Sequence, residues 1–168
     1  LYLQGDCCFN QRKWKEAIEF FGSFIKKHSD ESNVDAAAYK LASAWENAGE
    51  RKTAIQSFKS FVGTYGKSSY LPHAYLELGR LHYEEKNYSE ARKALLKVKD
   101  VGNSPFTFYY LGYVSIAEGD LDDAVKQFEK LQRSFPKHSL AADALMQQGI
   151  LLIQKKDCLL YTSDAADE

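Results

Sequence analysis

A set of alanines recurs along the chain at nearly constant intervals, and this repetition restricts the possible folds more than any other feature. Ala17, Ala54, Ala91 and Ala124 are separated by 37, 37 and 33 residues. Each lies in a similar phrase: WKEAIEFF, RKTAIQSF, YSEARKAL or LDDAVKQF. Periods of about 20 to 50 residues are typical of proteins that copy one supersecondary unit. The chain is therefore predicted to fold as stacked repeats.

Two further sets of residues keep the same register as the alanines. A large apolar residue follows each alanine by four positions, and a small residue precedes it by twelve. The large residues are Phe21, Phe58, Leu95 and Phe128, and the small ones are Gly5, Ala42, Gly79 and Gly112, with Gly149 a further 37 residues on. Small residues let two helix backbones approach closely, while the large residue fills the space one turn away. Each unit is therefore predicted to be an antiparallel pair of helices.

Apolar residues recur with helical spacing along the whole chain, and no segment has the alternation of a strand. The helices are predicted at about residues 1–10, 14–28, 33–48, 51–65, 71–85, 88–100, 105–118, 121–134 and 139–156. Because one helix pair cannot bury its own apolar face, the units must stack. The predicted fold class is all-α, a right-handed superhelical solenoid of antiparallel helix pairs.

Residues with special backbone preferences stand at the predicted helix ends. Gly49 and Gly119 favour a left-handed helix terminus, and Asn87 tolerates one. The predicted N-caps are Ser32, Ser69 and Ser104.

The order of residues within each unit resembles the tetratricopeptide repeat. A large apolar residue is followed by a Leu–Gly or Leu–Ala pair, another large residue, Ala, Phe and a closing Pro, here Pro136. The pairs are Leu41–Ala42, Leu78–Gly79 and Leu111–Gly112, whereas glutamine replaces the leucine at Gln4 and Gln148. The resemblance covers residues 1 to about 157. It implies a helical scaffold that binds other proteins.

The 37-residue units and the phrase FPKHSLAADALMQQG are also similar to a narrower group. They resemble the longer repeats of bacterial cell-envelope proteins, such as outer-membrane assembly lipoproteins and the periplasmic partner of the Tol–Pal system. This resemblance implies a role in envelope assembly or tethering and favours the periplasm slightly. Cytoplasmic relatives also have long loops between helices, so the compartment stays open.

The register divides residues 1–157 into one array of about four and a half repeats. Its expected units are approximately 1–32, 33–69, 70–104, 105–137 and 138–157, with further repeats or domains beyond both ends. The last eleven residues, CLLYTSDAADE, resemble a translated transposase adapter from shotgun library preparation. This resemblance implies that residues 158–168 are a non-native tail.

The first helix of each unit is expected to line a concave groove, so its solvent-facing residues are the candidate peptide-binding positions. They are Tyr39, Ser43, Glu46, Asn47, His73, Leu76, Arg80, Tyr83, Phe106, Tyr109, Tyr113 and Ile116. In chaperone-binding members of the family, Lys and Asn at fixed groove positions grip a C-terminal carboxylate. Here those positions hold Tyr39 and Ser43, Leu76 and Arg80, and Tyr109 and Tyr113, so the clamp is expected to be absent. An aromatic groove suits an extended or helical peptide with apolar anchors. The alternative is that several of these rings pack between repeats.

Several function classes are disfavoured by the sequence. A formal net charge of −1 gives no electrostatic basis for nucleic-acid binding, and no apolar run approaches the roughly 18–20 residues of a membrane span. No metal-ligand spacing, phosphate loop or catalytic motif occurs. The chain is predicted to be a protein-interaction scaffold without enzyme activity, cofactor or metal. The alternatives are an envelope assembly factor and, more remotely, the regulatory repeat region of a larger enzyme.

Overall fold

The structure, a computed structural model, is all-α over the residues that it describes, which confirms the predicted fold class. It describes the backbone of residues 1–99 and 104–164, and the side chains of residues 1–98 and 104–155. The chain divides into two compact units, unit 1 (residues 1–85) and unit 2 (residues 86–168).

Unit 1 contains five helices and unit 2 contains four. Those of unit 1 are α1 (Tyr2–Asn10), α2 (Trp14–Lys27), α3 (Val34–Asn47), α4 (Arg51–Thr64) and α5 (Leu71–Glu84). Those of unit 2 are α6 (Tyr88–Lys99), α7 (Pro105–Glu118), α8 (Leu121–Ser134) and α9 (Ser139–Asp164). Every helix begins within one residue of its predicted start, because the helical spacing of apolar residues is a local signal.

The predicted end of the last helix is wrong. The sequence predicted that this helix ends at about residue 156, but α9 continues to Asp164. The sequence from Ile150 to Asp164 contains neither Gly nor Pro, so no helix-breaking residue stops the helix where the register would end it.

The left-handed helix ends predicted at Gly49 and Gly119 are formed, but the one predicted at Asn87 is not. Gly49 and Gly119 have φ angles of 86° and 82°, which confirms the two left-handed ends. The next left-handed residue after Gly49 is Lys86, with φ 60°. Asn87 instead accepts a hydrogen bond from the Ala91 N–H at 3.0 Å through its backbone carbonyl. It therefore stands at the start of α6.

The serine N-caps are not formed as predicted. Helix α3 is preceded by Asn33 and α5 by Tyr70, and Ser104 precedes α7 without a side-chain cap bond. At the start of α5 a backbone N–H is bonded within a tight turn instead, because the Leu71 N–H donates to the Ser68 carbonyl at 3.1 Å. A carboxylate caps α8, where Asp120 accepts from the Asp123 N–H at 2.9 Å.

The repeat register identifies the residues at the helix contacts. The four repeat alanines and the four large residues that follow them are all 0% exposed. A Cβ added at Gly5 would lie 2.8 Å from the Phe21 ring, and one at Gly112 would lie 2.6 Å from the Phe128 ring. Gly149 occupies the same register position, yet a Cβ there would meet nothing within 4 Å.

Each unit has a core formed where consecutive helices meet. In unit 1, Ala17, Phe21 and Phe24 of α2 pack with Ala37 and Ala44 of α3. The unit 2 core joins α7, α8 and α9 through Phe108, Ala124, Phe128, Leu131, Ala141, Ala144 and Leu151. These cores give a packed base to the helices that carry the candidate binding residues.

Candidate functional site

The predicted binding positions lie on two faces, one in each unit. The first, here called the Tyr39 face, belongs to α3 and α5. It consists of Tyr39, Ser43, Glu46, Asn47, His73, Leu76, Arg80 and Tyr83. Asn47 and His73 are exposed and the other six are half-buried.

Tyr39 is partly a core residue. Its ring stacks on Tyr70 at 5.0 Å and lies edge-on to Phe58 at 5.7 Å. Burial, with a smaller contribution from the Glu77 charge, raises the pKa of Tyr39 to about 12. For this ring the structure favours the alternative in which aromatic residues pack between repeats.

Arg80 is held by three carboxylates. It pairs with Glu46 of α3, with Glu77 at 2.8 Å and with Glu84 at 2.6 Å. Burial alone would lower the pKa of Arg80, but Glu77 and Glu46 outweigh it and raise the pKa. Burial also raises the pKa of Glu46, with Arg80 opposing and Glu77 adding to the shift. Arg51 also pairs with Glu84 and with Glu85, both at 3.3 Å. Four acids around two guanidiniums leave this part of the Tyr39 face with an excess of negative charge.

The small polar residues of the Tyr39 face are turned back onto their own helix. The Ser43 hydroxyl donates to the Tyr39 carbonyl at 3.1 Å, and the Asn47 side-chain amide donates to the Ser43 carbonyl at 2.7 Å. Exposed His73 lies edge-on to Tyr39, with ring centres 6.4 Å apart. The outermost groups available to a ligand are therefore His73, the Asn47 amide and the acids around Arg80.

The second set of predicted positions, here called the Tyr109 face, lies on α7. It comprises Phe106, Tyr109, Tyr113 and Ile116, which share one side of the helix because they are three or four residues apart. The Tyr109 and Tyr113 rings meet at 4.8 Å, and Tyr113 lies edge-on to buried Phe128 at 5.6 Å. Phe106 is 43% exposed. The face is a row of aromatic rings on a packed base.

A carboxylate of α9 lies at the Tyr109 hydroxyl. Burial raises the pKa of Tyr109, and hydrogen bonds with Tyr113 and with Asp143 of α9 raise it further. Since an ionised carboxylate only accepts, the phenol O–H is the donor of this hydrogen bond and Asp143 is the acceptor. Tyr109 is thus anchored at its ring and at its hydroxyl.

The sequence did not indicate the most connected polar group of unit 2, which lies around Asp123. Its carboxylate accepts from the Ser115 hydroxyl at 2.6 Å, from Arg92 at 2.9 Å and from Gln127 at 2.9 Å. Burial alone would raise the pKa of Asp123, but these bonds lower it to about 2. Joining α6, α7 and α8 requires tertiary packing that no local spacing predicts.

The described residues were compared with the requirements of a metal site and of a membrane-spanning helix. Within them, no group of three or more His, Cys, Asp or Glu side chains could hold a metal ion. The same residues include no helix both long and apolar enough to cross a bilayer.

Repeated helix pairs with small-residue contacts define a class of helical-repeat scaffolds. One tetratricopeptide repeat family model matches residues 1–30, 36–68 and 107–138. A second tetratricopeptide repeat model matches residues 72–101. The chain belongs to the tetratricopeptide repeat family, whose members act as scaffolds for protein–protein interaction. A comparison with curated proteins found no sequence match.

Solved structures similar to this chain share its fold at low sequence identity. MamA from Desulfovibrio magneticus RS-1 (residues 41 to the end) matches with a TM-score of 0.76 and 16% identity, over 97% of this chain and 88% of MamA. The repeats of a kinesin light chain from Podosopora anserina match with a TM-score of 0.70 and 18% identity, over 96% and 92%. PilF from Pseudomonas aeruginosa matches with a TM-score of 0.70 and 16% identity, over 87% of this chain and 64% of PilF.

Proposed function

We propose that this chain is a protein-interaction scaffold whose Tyr109 face binds a peptide, or an exposed segment of a partner protein, through apolar anchor residues. The observation that carries the proposal is the Tyr109–Tyr113 pair, whose rings lie 4.8 Å apart and are only half-buried. Aromatic rings already held in place offer large contact area at little cost in side-chain entropy.

The chemistry of α7 favours an apolar or aromatic ligand segment. From Pro105 to Ala117 the helix contains no charged residue. Phe106 and Ile116 lie at opposite ends of the Tyr109 face, so the row spans about 15 Å along the helix. A row of that length accommodates two or three anchor side chains of an extended or helical peptide.

The Tyr39 face is proposed as a separate contact surface with a preference for basic side chains. Glu46, Glu77, Glu84 and Glu85 outnumber the two guanidiniums of Arg80 and Arg51, so a Lys or Arg of a ligand would meet an excess of negative charge. Because Arg80 is already paired, its guanidinium is not free to grip a ligand carboxylate.

A peptide-display selection tests the proposal directly. Random peptides on phage are selected against the folded chain, and enriched sequences are measured by fluorescence anisotropy against Tyr109→Ala and Tyr109→Phe. We expect enriched peptides to carry aromatic or large aliphatic anchors and to lose at least about tenfold in affinity with Tyr109→Ala. Tyr109→Phe keeps the ring and should bind nearly normally. Leu96→Ala is the control, since Leu96 is 44% exposed and belongs to α6.

Two results would contradict the proposal. The first is that the selection enriches no peptide. The second is that the enriched peptides bind the Tyr109→Ala variant as tightly as the unchanged chain, while the circular dichroism of the variant stays normal. Envelope assembly, a regulatory role in a larger enzyme, the repeat boundaries and the adapter origin of residues 158–168 stay predictions.

A further inference from the structure

Asp143 of α9 places one negative charge at the edge of the Tyr109 face. Its carboxylate lies at the Tyr109 hydroxyl, and the residue is half-buried. Helix α7 has no charged residue from Pro105 to Ala117, and Asp143 is the one charged residue from Ser139 to Gln154 of α9. These two stretches are therefore uncharged apart from a single carboxylate.

The repeat register assigns Asp143 to the same row of positions as the Tyr109 face. Asp143 follows Phe106 by 37 residues, an interval that recurs between the repeats. The residues that α9 contributes to the unit 2 core are Ala141, Ala144 and Leu151. Asp143 thus lies outside this core and next to the predicted binding positions of α7.

Asp143 differs from the other acidic residues of unit 2 in its partners. Of those whose side chains the structure describes, Asp120 caps α8 and five form ion pairs with Lys or Arg. The five are Glu90, Glu118, Asp122, Asp123 and Glu129. Asp143 has neither a cation nor a backbone N–H as a partner among the described residues, and its carboxylate is bonded to the Tyr109 phenol.

The carboxylate of Asp143 keeps capacity for a charged donor. An ionised carboxylate has about four lone-pair sites, and the Tyr109 phenol uses one of them. Because Asp143 is half removed from water, it attracts a cation more strongly than a fully solvated carboxylate does.

The rings beside Asp143 favour a cation as well. Tyr109 and Tyr113 lie 4.8 Å apart, and the face of a tyrosine ring attracts a positive charge. The planar guanidinium of Arg suits such a place better than the ammonium of Lys, because it bonds a carboxylate through two N–H groups and also stacks on aromatic rings.

We infer that the segment bound by the Tyr109 face carries a basic residue beside its apolar anchors, and that this residue pairs with Asp143 against the Tyr109 ring. The inference rests on the peptide binding proposed above and adds the one charged contact of that site. It makes Asp143 the residue that selects among peptides with similar apolar anchors.

Parallel phage selections against the unchanged chain and against Asp143→Asn test the inference. The amide keeps an oxygen that can accept the Tyr109 hydroxyl but removes the charge. On the unchanged chain, we expect enriched peptides to carry Arg or Lys at a fixed distance from their aromatic or aliphatic anchors. On Asp143→Asn, the anchors should be enriched without the basic residue at that distance.

Fluorescence anisotropy with a matched pair of peptides measures the contact itself. The probes are a fluorescein-labelled peptide enriched on the unchanged chain, with Arg at the basic position, and the same peptide with uncharged citrulline in place of that Arg. The unchanged chain should bind the Arg peptide at least about tenfold more tightly than the citrulline peptide. This comparison needs no variant, so it does not depend on how a substitution folds. The Lys peptide should lie between the two.

The variant completes a double-mutant cycle. Asp143→Asn should weaken the Arg peptide at least about tenfold and the citrulline peptide less than about twofold. Added salt should reduce the difference, because it screens the ion pair. Asp122→Asn is the matched control, since it removes an acid from the same unit whose side chain is 69% exposed and outside the Tyr109 face.

The outcomes separate this inference from the proposed function. Peptides enriched for apolar anchors without a basic residue would overturn the inference and leave the peptide binding intact, whereas a selection that enriches no peptide would overturn both. Equal affinities of the Arg and citrulline peptides for the unchanged chain would also overturn it. So would an Asp122→Asn variant that weakens the Arg peptide as much as Asp143→Asn does. A loss confined to the Arg peptide with Asp143→Asn supports it.

Discussion

The ring of Phe128 lies so close to Gly112 that a Cβ at residue 112 would be 2.6 Å from its carbon atoms. Phe128 is 0% exposed, so its ring has no free space into which it could move. The contact explains why a glycine, the poorest helix former after proline, stands in the middle of α7.

We expect Gly112→Ala to lower the free energy of unfolding by about 1–3 kcal/mol, because an overpacked contact outweighs the better helix propensity of alanine. Urea denaturation measures the change. Gly22→Ala in α2 is the control, since a Cβ at Gly22 meets nothing within 4 Å. That substitution should stabilise the chain by up to about 1 kcal/mol. A Gly112→Ala variant as stable as the unchanged chain would contradict the close contact.

Removing the guanidinium of Arg80 should leave Glu46 and Glu77 without their cationic partner, while Glu84 keeps Arg51 at 3.3 Å. We expect Arg80→Met to lower the free energy of unfolding by about 1–3 kcal/mol. Added salt should reduce the loss, because it screens the repulsion among Glu46, Glu77 and Glu84. The double variant Arg80→Met/Glu46→Gln should recover part of the stability. Arg133→Met serves as a control, because that side chain is 82% exposed and should change stability little. Equal losses in the two Met variants would argue against the Arg80 cluster.

The lowered pKa of Asp123 makes its contribution depend on pH. Its pKa is about 2 in the folded chain against 3.8 for a free Asp side chain, so its charged form is stabilised by folding. The contribution is present above the unfolded pKa and is lost as pH falls through the folded pKa. Asp123→Asn should cost about 1 kcal/mol at neutral pH, and the cost should shrink as pH falls from about 4 to about 2.

Thermal unfolding of both proteins across this pH range checks the expectation. Asp122→Asn is the comparison, because the neighbouring carboxylate is 69% exposed and its loss should be smaller. A difference between Asp123→Asn and the unchanged chain that stays constant down to the lowest pH would show that the charge of Asp123 is not what stabilises the fold.

Arg12 adopts a left-handed backbone conformation, with φ 58°, in the turn between α1 and α2. This conformation strains a residue with a Cβ but not glycine. Arg12→Gly should therefore raise the free energy of unfolding by about 0.5 kcal/mol, once the larger chain entropy of glycine is subtracted. The neighbouring Gln11 has φ −84°, so Gln11→Gly should destabilise instead. The prediction fails if urea titrations give both variants the same sign.

The repeat register illustrates how much of the fold could be read from the sequence. The sixteen-residue interval that joins Gly5 to Phe21 also joins Gly112 to Phe128, and both pairs are in contact. The same interval after Gly149 reaches Ala165, outside the described residues, and the expected turn at residues 156–157 is replaced by continuous helix. The register predicted the contact in both of these pairs.

The candidate site was predictable as a set of helix positions but not as a surface. The spacing of Tyr109 and Tyr113 places them on one side of α7, yet the Asp143 carboxylate comes from another helix. The sequence left open whether Tyr39 lines a groove or packs between repeats, and only the structure places its ring against Phe58 and Tyr70. The acids around Arg80 were not predicted from the sequence. These features depend on which side chains of separate helices meet.

The sequence alone determined the helices, their pairing register and the membership of the repeat family, because helical spacing and small-residue contacts are local and recur with a fixed period. Only the tertiary structure decided how the polar groups are used. Arg80 and Glu46 are 34 residues apart, and Arg92 and Asp123 are 31 apart. Whether such distant charges meet depends on the packing of whole helices. The same packing leaves Gly149 and its apolar neighbours uncovered, although their local sequence resembles that of helices whose equivalent residues are buried.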